Sequence, residues 1–222
     1  MSELIIVGMP RSNLTRSVRI ACLEKEISFD FTSRDVQTPG RPPTNALLER
    51  NPFGTVPVLI HGTFTLYETA AICRFIDDNF AGPLLRPVRA DKVARMNQWI
   101  SVAMTRLDQN IIRNFVIPMV FADHKKRHDP GFAIHMNQLA DVIRRDLAVL
   151  DDAYGDGWLF EDRFTLPDMM IMPMLHYLNA MPGGPEMLAD APNVRAAYDR
   201  FKARGSAAQT DPLLPEQILK SA

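Results

Sequence analysis

The sequence predicts an α/β N-terminal domain followed by an all-helical C-terminal domain. Three observations carry this reading. Strand-like apolar runs alternate with helical spacing over the first 80 residues. The composition then shifts at Ala81-Gly82-Pro83-Leu84-Leu85-Arg86-Pro87, a turn-rich stretch. Beyond it apolar residues recur every three or four positions, and no convincing strand follows. The boundaries read as 1–82 for the α/β domain, 83–90 for a linker and 91–222 for the helical domain.

Leu4 to Val7 is a short continuous apolar run, as expected of a strand buried on both faces. Gly8 to Ser12 is a loop. Leu14, Val18, Ala21 and Cys22 then fall at helical spacing. Ser28 to Val36 carries Phe29 and Phe31 in alternation and reads as a second strand, closing a β-α-β unit. A proline-rich loop, Thr38 to Pro43, precedes a short helical piece ending near Arg50. Val56 to Ile60 and Phe64 to Tyr67 face each other across His61-Gly62-Thr63 as a hairpin. Glu68 to Phe80 returns to helical spacing through Ile72, Phe75 and Ile76. The order is β-α-β-α-β-β-α.

In the second half, Val93, Met96, Ile100, Met104, Leu107 and Ile111 predict a long helix that Pro118 bends or ends. His124 to Pro130 reads as a polar loop. Leu139, Ile143, Leu147, Leu150 and Tyr154 mark another amphipathic helix, closed by Gly155-Asp156-Gly157. Thr165-Leu166-Pro167-Asp168 has the form of a capping box, with Phe164 and Met169 placed to form a hydrophobic staple. A final helix spans about Pro192 to Ala203.

Composition narrows the function classes. The 222 residues are 46% hydrophobic and 23% charged, which suits a folded chain rather than a disordered one. The apolar runs are far shorter than the roughly 20 residues of a membrane-spanning helix. A formal net charge of −1 supplies no bulk attraction to nucleic acid or to an anionic membrane. Two cysteines, Cys22 and Cys73, do not make a disulfide scaffold and read as small core residues. The N-terminus lacks a basic leader and a long apolar stretch, so the expected compartment is the cytoplasm.

The chemistry is expected at a cleft between the two domains, where small ligands favour binding. Three turns qualify. Ser12 stands at the start of the first helix, where unpaired amides and the helix dipole favour negative charge. Its hydroxyl either caps the helix or donates to a bound thiolate. No base adjoins it, which argues against a serine nucleophile. Val56-Pro57 lies where proline removes a ladder donor. A trans bond makes this a plain edge strand, whereas a cis bond turns the Val56 amide and carbonyl towards an extended peptide ligand. Glu68-Thr69 opens a helix. Glu68 either compensates the dipole or holds an ammonium, beside amides that hold a carboxylate. His124, His128 and His135 have no metal-ligand spacing, so no metal is expected. No Cys-x-x-Cys occurs.

At these residues the sequence resembles a cytosolic glutathione S-transferase of the serine type, nearest the plant phi class and its bacterial relatives. Gly8 to Val18 is similar to the serine motif, and Asn51-Pro52-Phe53-Gly54-Thr55-Val56-Pro57-Val58-Leu59 to the cis-proline segment. Leu66 to Ile72 resembles the γ-glutamyl-binding segment, and Thr165 to Asp168 the capping box of the helical domain. The resemblance covers nearly the whole chain. It implies a thioredoxin-like N-terminal domain, a homodimer, and glutathione as co-substrate with no metal. It also implies Ser12 as the catalytic residue, a cis Val56–Pro57 bond, and Val56, Pro57, Glu68 and Thr69 as glutathione-binding residues. The thiolate would attack a small apolar electrophile. Met104 and Thr105 would touch that electrophile if the face Ser101, Met104, Thr105, Asp108 meets the cleft; the alternative buries Met104 with Ile100, Leu107 and Ile111.

Two features depart from the phi pattern. Pro42-Pro43 stand where His-Lys would contact the glycyl carboxylate, leaving Arg41 or Arg11 for that role. Thr55 replaces the usual Gln or Lys. Asn13 is a second candidate thiol donor. Two rival functions share the scaffold: a non-catalytic ligand- or protein-binding relative, and a glutathione-dependent peroxidase, lyase or isomerase.

Overall fold

The computed structural model describes residues 3–34, 36, 42–155, 157–160 and 163–212. Two compact units divide the chain. The first runs to Arg86 and the second begins at Pro87.

In the first unit the order is β1 (Leu4–Val7), α1 (Asn13–Glu24), β2 (Asp30–Thr32), α2 (Asn45–Arg50), β3 (Val58–His61), β4 (Phe64–Tyr67) and α3 (Thr69–Asn79). The sheet order is β2-β1-β3-β4; β1 and β2 are parallel, and the other two pairs are antiparallel. Alternation along β1 puts Ile5 and Val7 on one face. There Val7 packs with Leu47 of α2 and with Val58, ringed by Ile60, Val56 and Tyr67. Leu4, Ile6 and Leu59 are buried, as are Val18 and Ala21 of α1 and Ile72 and Ile76 of α3. Cys22 and Cys73 are free and fully buried. Burial pushes the Cys22 thiol up to about 12 and the Cys73 thiol well up too, so both remain neutral core groups.

The second strand is shorter than expected. Thr32 Oγ1 accepts from the Arg34 amide at 3.1 Å and Ser33 O accepts from Val36 N at 3.3 Å, a turn that ends the ladder. The third strand starts at Val58 rather than Val56, because Pro57 has no amide to donate.

In the second unit one helical rod runs through α4 (Ala90–Val102), a π-helical segment (Ala103–Val116) and α5 (Ile117–Phe121). Pro118 does not break the rod, which continues to Phe121; having no amide, it leaves one carbonyl of the preceding turn without its helical donor. The expected polar loop contains a short helix, α6 (His124–Arg127), before α7 (Pro130–Tyr154). Gly155 closes α7 at φ 50° and ψ −133°, a conformation glycine tolerates. Then follow α8 (Leu166–Asn179), α9 (Gly184–Ala189) and α10 (Pro192–Lys202). The capping box forms. Asp168 Oδ2 accepts from the Thr165 amide at 2.9 Å and from its hydroxyl at 2.7 Å. α8 is apolar all round and forms the centre of this unit, with Met169, Met170, Met172 and Met174 fully buried. No helix among the described residues is long and apolar enough to cross a membrane.

One element departs from the expected division at 91–222. The last described helix, α11 (Gly205–Gln209), groups with the first unit and packs on α1. Arg16 of α1, 2% exposed, donates to Ala207 O at 3.1 Å and to Thr210 Oγ1 at 3.2 Å, while Arg19 donates to Gln209 O at 3.1 Å. Buried guanidinium groups need such acceptors, and the C-terminal residues supply them.

Candidate active site

Strand register brings the three candidate turns of the first unit to one end of the sheet. Val7, the last residue of β1, pairs with Val58, the first of β3, and Val58 pairs with Tyr67, the last of β4. The loop to Ser12 leaves from Val7. Val56-Pro57 arrives at Val58, and Glu68-Thr69 follows Tyr67. Antiparallel partners lie roughly 5 Å apart, so the three segments start from neighbouring positions at one end of the sheet.

Ser12 is the N-cap of α1, at φ −82° and ψ 122°, and its Oγ accepts from Thr15 N at 3.2 Å. A hydroxyl that accepts through a lone pair keeps its proton for donation, so capping and thiolate binding are compatible. No acidic residue occupies the first turn of α1. The positive end of the helix therefore keeps its attraction for an anion. The preceding loop is pressed onto the helix: a Cβ at Gly8 would lie 2.3 Å from Thr15 Cγ2, which only glycine avoids. Asn13 is buried at the first helical position, and its carbonyl accepts from Ser17 Oγ at 3.0 Å.

The Val56–Pro57 bond is cis. The loop before it is held by Asn51, which is fully buried. Its Nδ2 donates to Thr55 O at 2.9 Å and to Thr55 Oγ1 at 3.0 Å, while its Oδ1 accepts from Phe53 N at 3.0 Å. Thr55 thus serves the loop through both oxygens. Gly54 has φ 63°, and a Cβ there would lie 2.6 Å from Pro43 Cγ. Pro43 is accordingly a packing residue against this loop. Arg11 is exposed, and Arg41 lies outside the described residues.

Glu68 is one of two non-glycine residues with positive φ among the described residues, at φ 72° and ψ 117°. A conformation of this kind costs on the order of 1–3 kcal/mol and persists only where surroundings enforce it. Glu68 is exposed and makes no side-chain cap to α3, and no acidic residue occupies the first turn of that helix. Thr69 is 2% exposed, and its buried Oγ1 has no hydrogen-bond partner among the described residues. Buried hydroxyls are normally satisfied, so this one is an unmet demand at that end of the sheet.

Met104 and Thr105 belong to the second unit. Met104 is half-buried and Thr105 exposed, with its hydroxyl donating to Ser101 O at 2.7 Å. Ile100, Leu107 and Ile111 are buried, while Met104 is only partly so. Asp108 does not share the exposed face of Ser101 and Thr105; it is buried and bonded to Arg113. The π pitch moves it, because residues four apart no longer stack as they do in an α-helix. Two supporting residues escaped the sequence reading, Asn51 and Thr15. The run Asn51-Pro52-Phe53-Gly54 carried the signal for the first, since Asn followed by turn residues marks a side chain bonding its own loop.

A four-stranded mixed sheet with a cis-proline leading into its third strand, followed by a helical unit, has the two-part architecture of a thioredoxin-like domain joined to an all-helical one. The N-terminal domain model of the glutathione S-transferases matches residues 6–84, and the C-terminal domain model matches residues 133–200. The maize protein named glutathione S-transferase 3 is 28% identical over 97% of this chain and 96% of its own. A solved apo structure of glutathione S-transferase III superposes with a TM-score of 0.77 at 27% identity, covering 96% of this chain and 98% of that one. A Coxiella burnetii protein named as a stringent starvation protein A homolog is 28% identical over 78% of this chain and 75% of its own. The chain belongs to the glutathione S-transferase family.

Proposed function

We propose that this protein activates the glutathione thiol at Ser12 and transfers it to a small apolar electrophile. The observation that carries the reading is the shared end of the sheet, where Ser12, cis Val56–Pro57 and Glu68-Thr69 leave from the paired row Val7, Val58, Tyr67. A glutathione thiol has an ordinary pKa of about 8.5, so little of it is thiolate at neutral pH. Lowering that value by about two units takes roughly 2.7 kcal/mol, within reach of one charge-assisted hydrogen bond and a helix N-terminus. Ser12 supplies the bond and α1 the dipole. The Val56 backbone pairs with the cysteinyl residue. Glu68 holds the γ-glutamyl ammonium, and Thr69 Oγ1, unpartnered and buried, donates to the γ-glutamyl carboxylate. Met104 and Thr105 touch the electrophile. The active form is a homodimer in the cytoplasm, with no metal, nucleic acid or membrane partner.

The test is retention on immobilised glutathione, followed by assays against aryl halides, epoxides and hydroperoxides. Retention with aryl halide conjugation supports the transferase. Retention with hydroperoxide reduction alone would point to a peroxidase. Failure of retention and of every assay would favour a non-catalytic relative, a reading kept open by the starvation-protein name of one relative.

A further inference from the structure

Hydrogen bonds join α11 to three points along α1, the helix that Ser12 caps. Arg16 Nη2 donates to Ala207 O at 3.1 Å and Nε to Thr210 Oγ1 at 3.2 Å. Arg19 donates to Gln209 O at 3.1 Å, and at the far end of the helix Ser206 Oγ donates to Glu24. The Arg16 junction is sealed, since Arg16, Ala207 and Thr210 are all buried. The Thr210 hydroxyl serves both of its sides, donating to Ser206 O at 2.7 Å while it accepts from Arg16. Steps of four and three residues keep side chains in one row of a helix, so Ser12, Arg16 and Arg19 share a face. Ser12 and Arg16 are also tied through the main chain, where the Arg16 amide donates to Ser12 O at 2.9 Å.

α1 packs on α3 as well, and Val18, Ala21 and Cys22 of the one are buried, as are Ile72 and Ile76 of the other. Apolar burial is non-directional, so it holds two helices together but fixes a shift along the helix axis less sharply than hydrogen bonds do. A guanidinium is planar and rigid, and Arg16 engages it through two nitrogens at once. That junction therefore sets where α1 lies along its own axis, and with it where the first turn presents the Ser12 hydroxyl. Thiol activation depends on that position, because a misplacement of about 1 Å costs on the order of 10²-fold in rate.

We propose that α11 positions Ser12 through Arg16, which makes Arg16 a positioning residue for thiol activation and the sealed Arg16–Thr210–Ala207 junction the contact through which α11 acts. The inference rests on the reading of Ser12 as donor to the glutathione thiolate. Three variants of the full chain test it. Thr210→Val keeps the outline of the side chain and removes the hydroxyl, Thr210→Ser keeps the hydroxyl, and Arg16→Lys keeps the charge and removes the planar fork. The readouts are ultraviolet difference titration of bound glutathione, the pH profile of kcat with an aryl halide, and thermal unfolding. Thr210→Val and Arg16→Lys should raise the bound thiol pKa by about half a unit or more and lower kcat about three-fold or more at a pH below it, with most of that loss recovered above it. KM for glutathione should stay near the parent value, since Val56, Glu68 and Thr69 are not on α1. Thr210→Ser should match the parent throughout. If Arg16→Lys does not fold, the Thr210 pair decides alone. Lowered melting with the parent's thiol pKa and pH profile would leave the junction as a plain brace and overturn the proposal. Parent values in Arg16→Lys beside a raised thiol pKa in Arg16→Met would assign the effect to charge and overturn it too. Ser12→Ala separates the two readings: a raised thiol pKa there, with parent values in Thr210→Val and Arg16→Lys, sinks this inference alone. A parent enzyme whose bound thiol keeps the ordinary value of about 8.5 sinks both.

Discussion

Arg113 donates a 2.9 Å hydrogen bond to Asp108, five residues earlier in the same helix. Gln109 donates to Asn114 at 2.8 Å over the same interval. In an α-helix, five residues turn through about 500°, leaving the two side chains about 140° apart and out of reach. The pairs form because this stretch is π-helical, with hydrogen bonds spanning five residues. The same pitch buries neighbours in couples: Leu107 with Asp108, Ile111 with Ile112, Phe115 with Val116. Arg113 is about half-exposed, so its pair with Asp108 should be worth about 0.5–1 kcal/mol after solvent screening. A double-mutant cycle of Asp108→Asn and Arg113→Ala, followed by thermal unfolding, should return that coupling. Zero coupling would mean that the pair, and with it the π pitch, does not persist in solution.

Ser12→Ala removes a cap that accepts one amide, a loss of about 1 kcal/mol that leaves the fold intact. Conjugation should fall at least ten-fold, and the pKa of bound glutathione thiol should rise, as read by ultraviolet difference titration. Full activity in this variant would shift the donor role to Asn13.

Asn51→Ala leaves the Thr55 carbonyl and the Phe53 amide without their partner in a loop that is itself largely exposed. Each lost hydrogen bond is worth about 0.5–1.5 kcal/mol where water can reach the freed group, so the folded state should lose roughly 1–3 kcal/mol in total. The loop presents Val56, so KM for glutathione should rise more than kcat falls. An unchanged KM in a destabilised variant would detach Val56 from glutathione binding.

Asp168 is fully buried, and that burial raises its carboxyl to about 6, although the Thr165 amide and hydroxyl hold it down. Its folded value exceeds the ordinary 3.8, so the folded state binds the proton more tightly. The contribution is full below pH 3.8 and is lost as pH rises through about 6, by on the order of 3 kcal/mol. Asp168→Ala should cost about 0.5–2 kcal/mol at pH 7 through the lost cap. Its cost should grow between pH 7 and pH 4.5, measured by denaturant unfolding at each pH. A cost that shrinks towards acid would mean a carboxylate stabilised by its bonds more than it is penalised by burial. Catalytic constants of the folded fraction should barely change.

Much of the first unit is legible in local pattern. Leu4 to Val7 and Phe64 to Tyr67 form strands because their runs are apolar and bounded by turn residues. Thr165 and Asp168 meet because a capping box is a four-residue interaction. What escaped depends on partners far along the chain. Asp151 of α7 caps α10, accepting from Asn193 N at 2.7 Å and Val194 N at 2.9 Å, a pairing that no window of sequence contains. Lys25 is buried against Asp77 at 2.8 Å in the same long-range way. α11 lacks an apolar stripe, and its position follows from the acceptors it offers Arg16 and Arg19. The π pitch escaped for a different reason. Apolar steps of three and four at Ile100, Met104, Leu107 and Ile111 suit an α-helix, and the longer hydrogen bonds leave no mark on residue type. The thiol-site candidates were legible as residues, whereas the unmet Thr69 hydroxyl and the positive φ of Glu68 emerge only from three-dimensional surroundings.

Met104 is the sharpest test of the electrophile assignment. A methionine in a packed core loses about 2–5 kcal/mol on truncation to alanine, because transfer and cavity costs add. Met104 is only half-buried while Ile100, Leu107 and Ile111 beside it in sequence are sealed, so truncation removes less buried surface and leaves no closed void. Met104→Ala should therefore lose less than about 2 kcal/mol, a drop in Tm of less than about 8 °C for a chain of this size. Glutathione affinity should stay unchanged, since Ser12, Val56 and Glu68 lie in the other unit. The ranking among electrophiles should change, with bulky apolar substrates gaining on small ones as side-chain volume is removed. Thermal unfolding beside a panel of aryl halides of graded size reads both quantities. A variant with the parent's ranking would remove Met104 from the electrophile site and leave Thr105, exposed one residue further on, as the candidate to vary next.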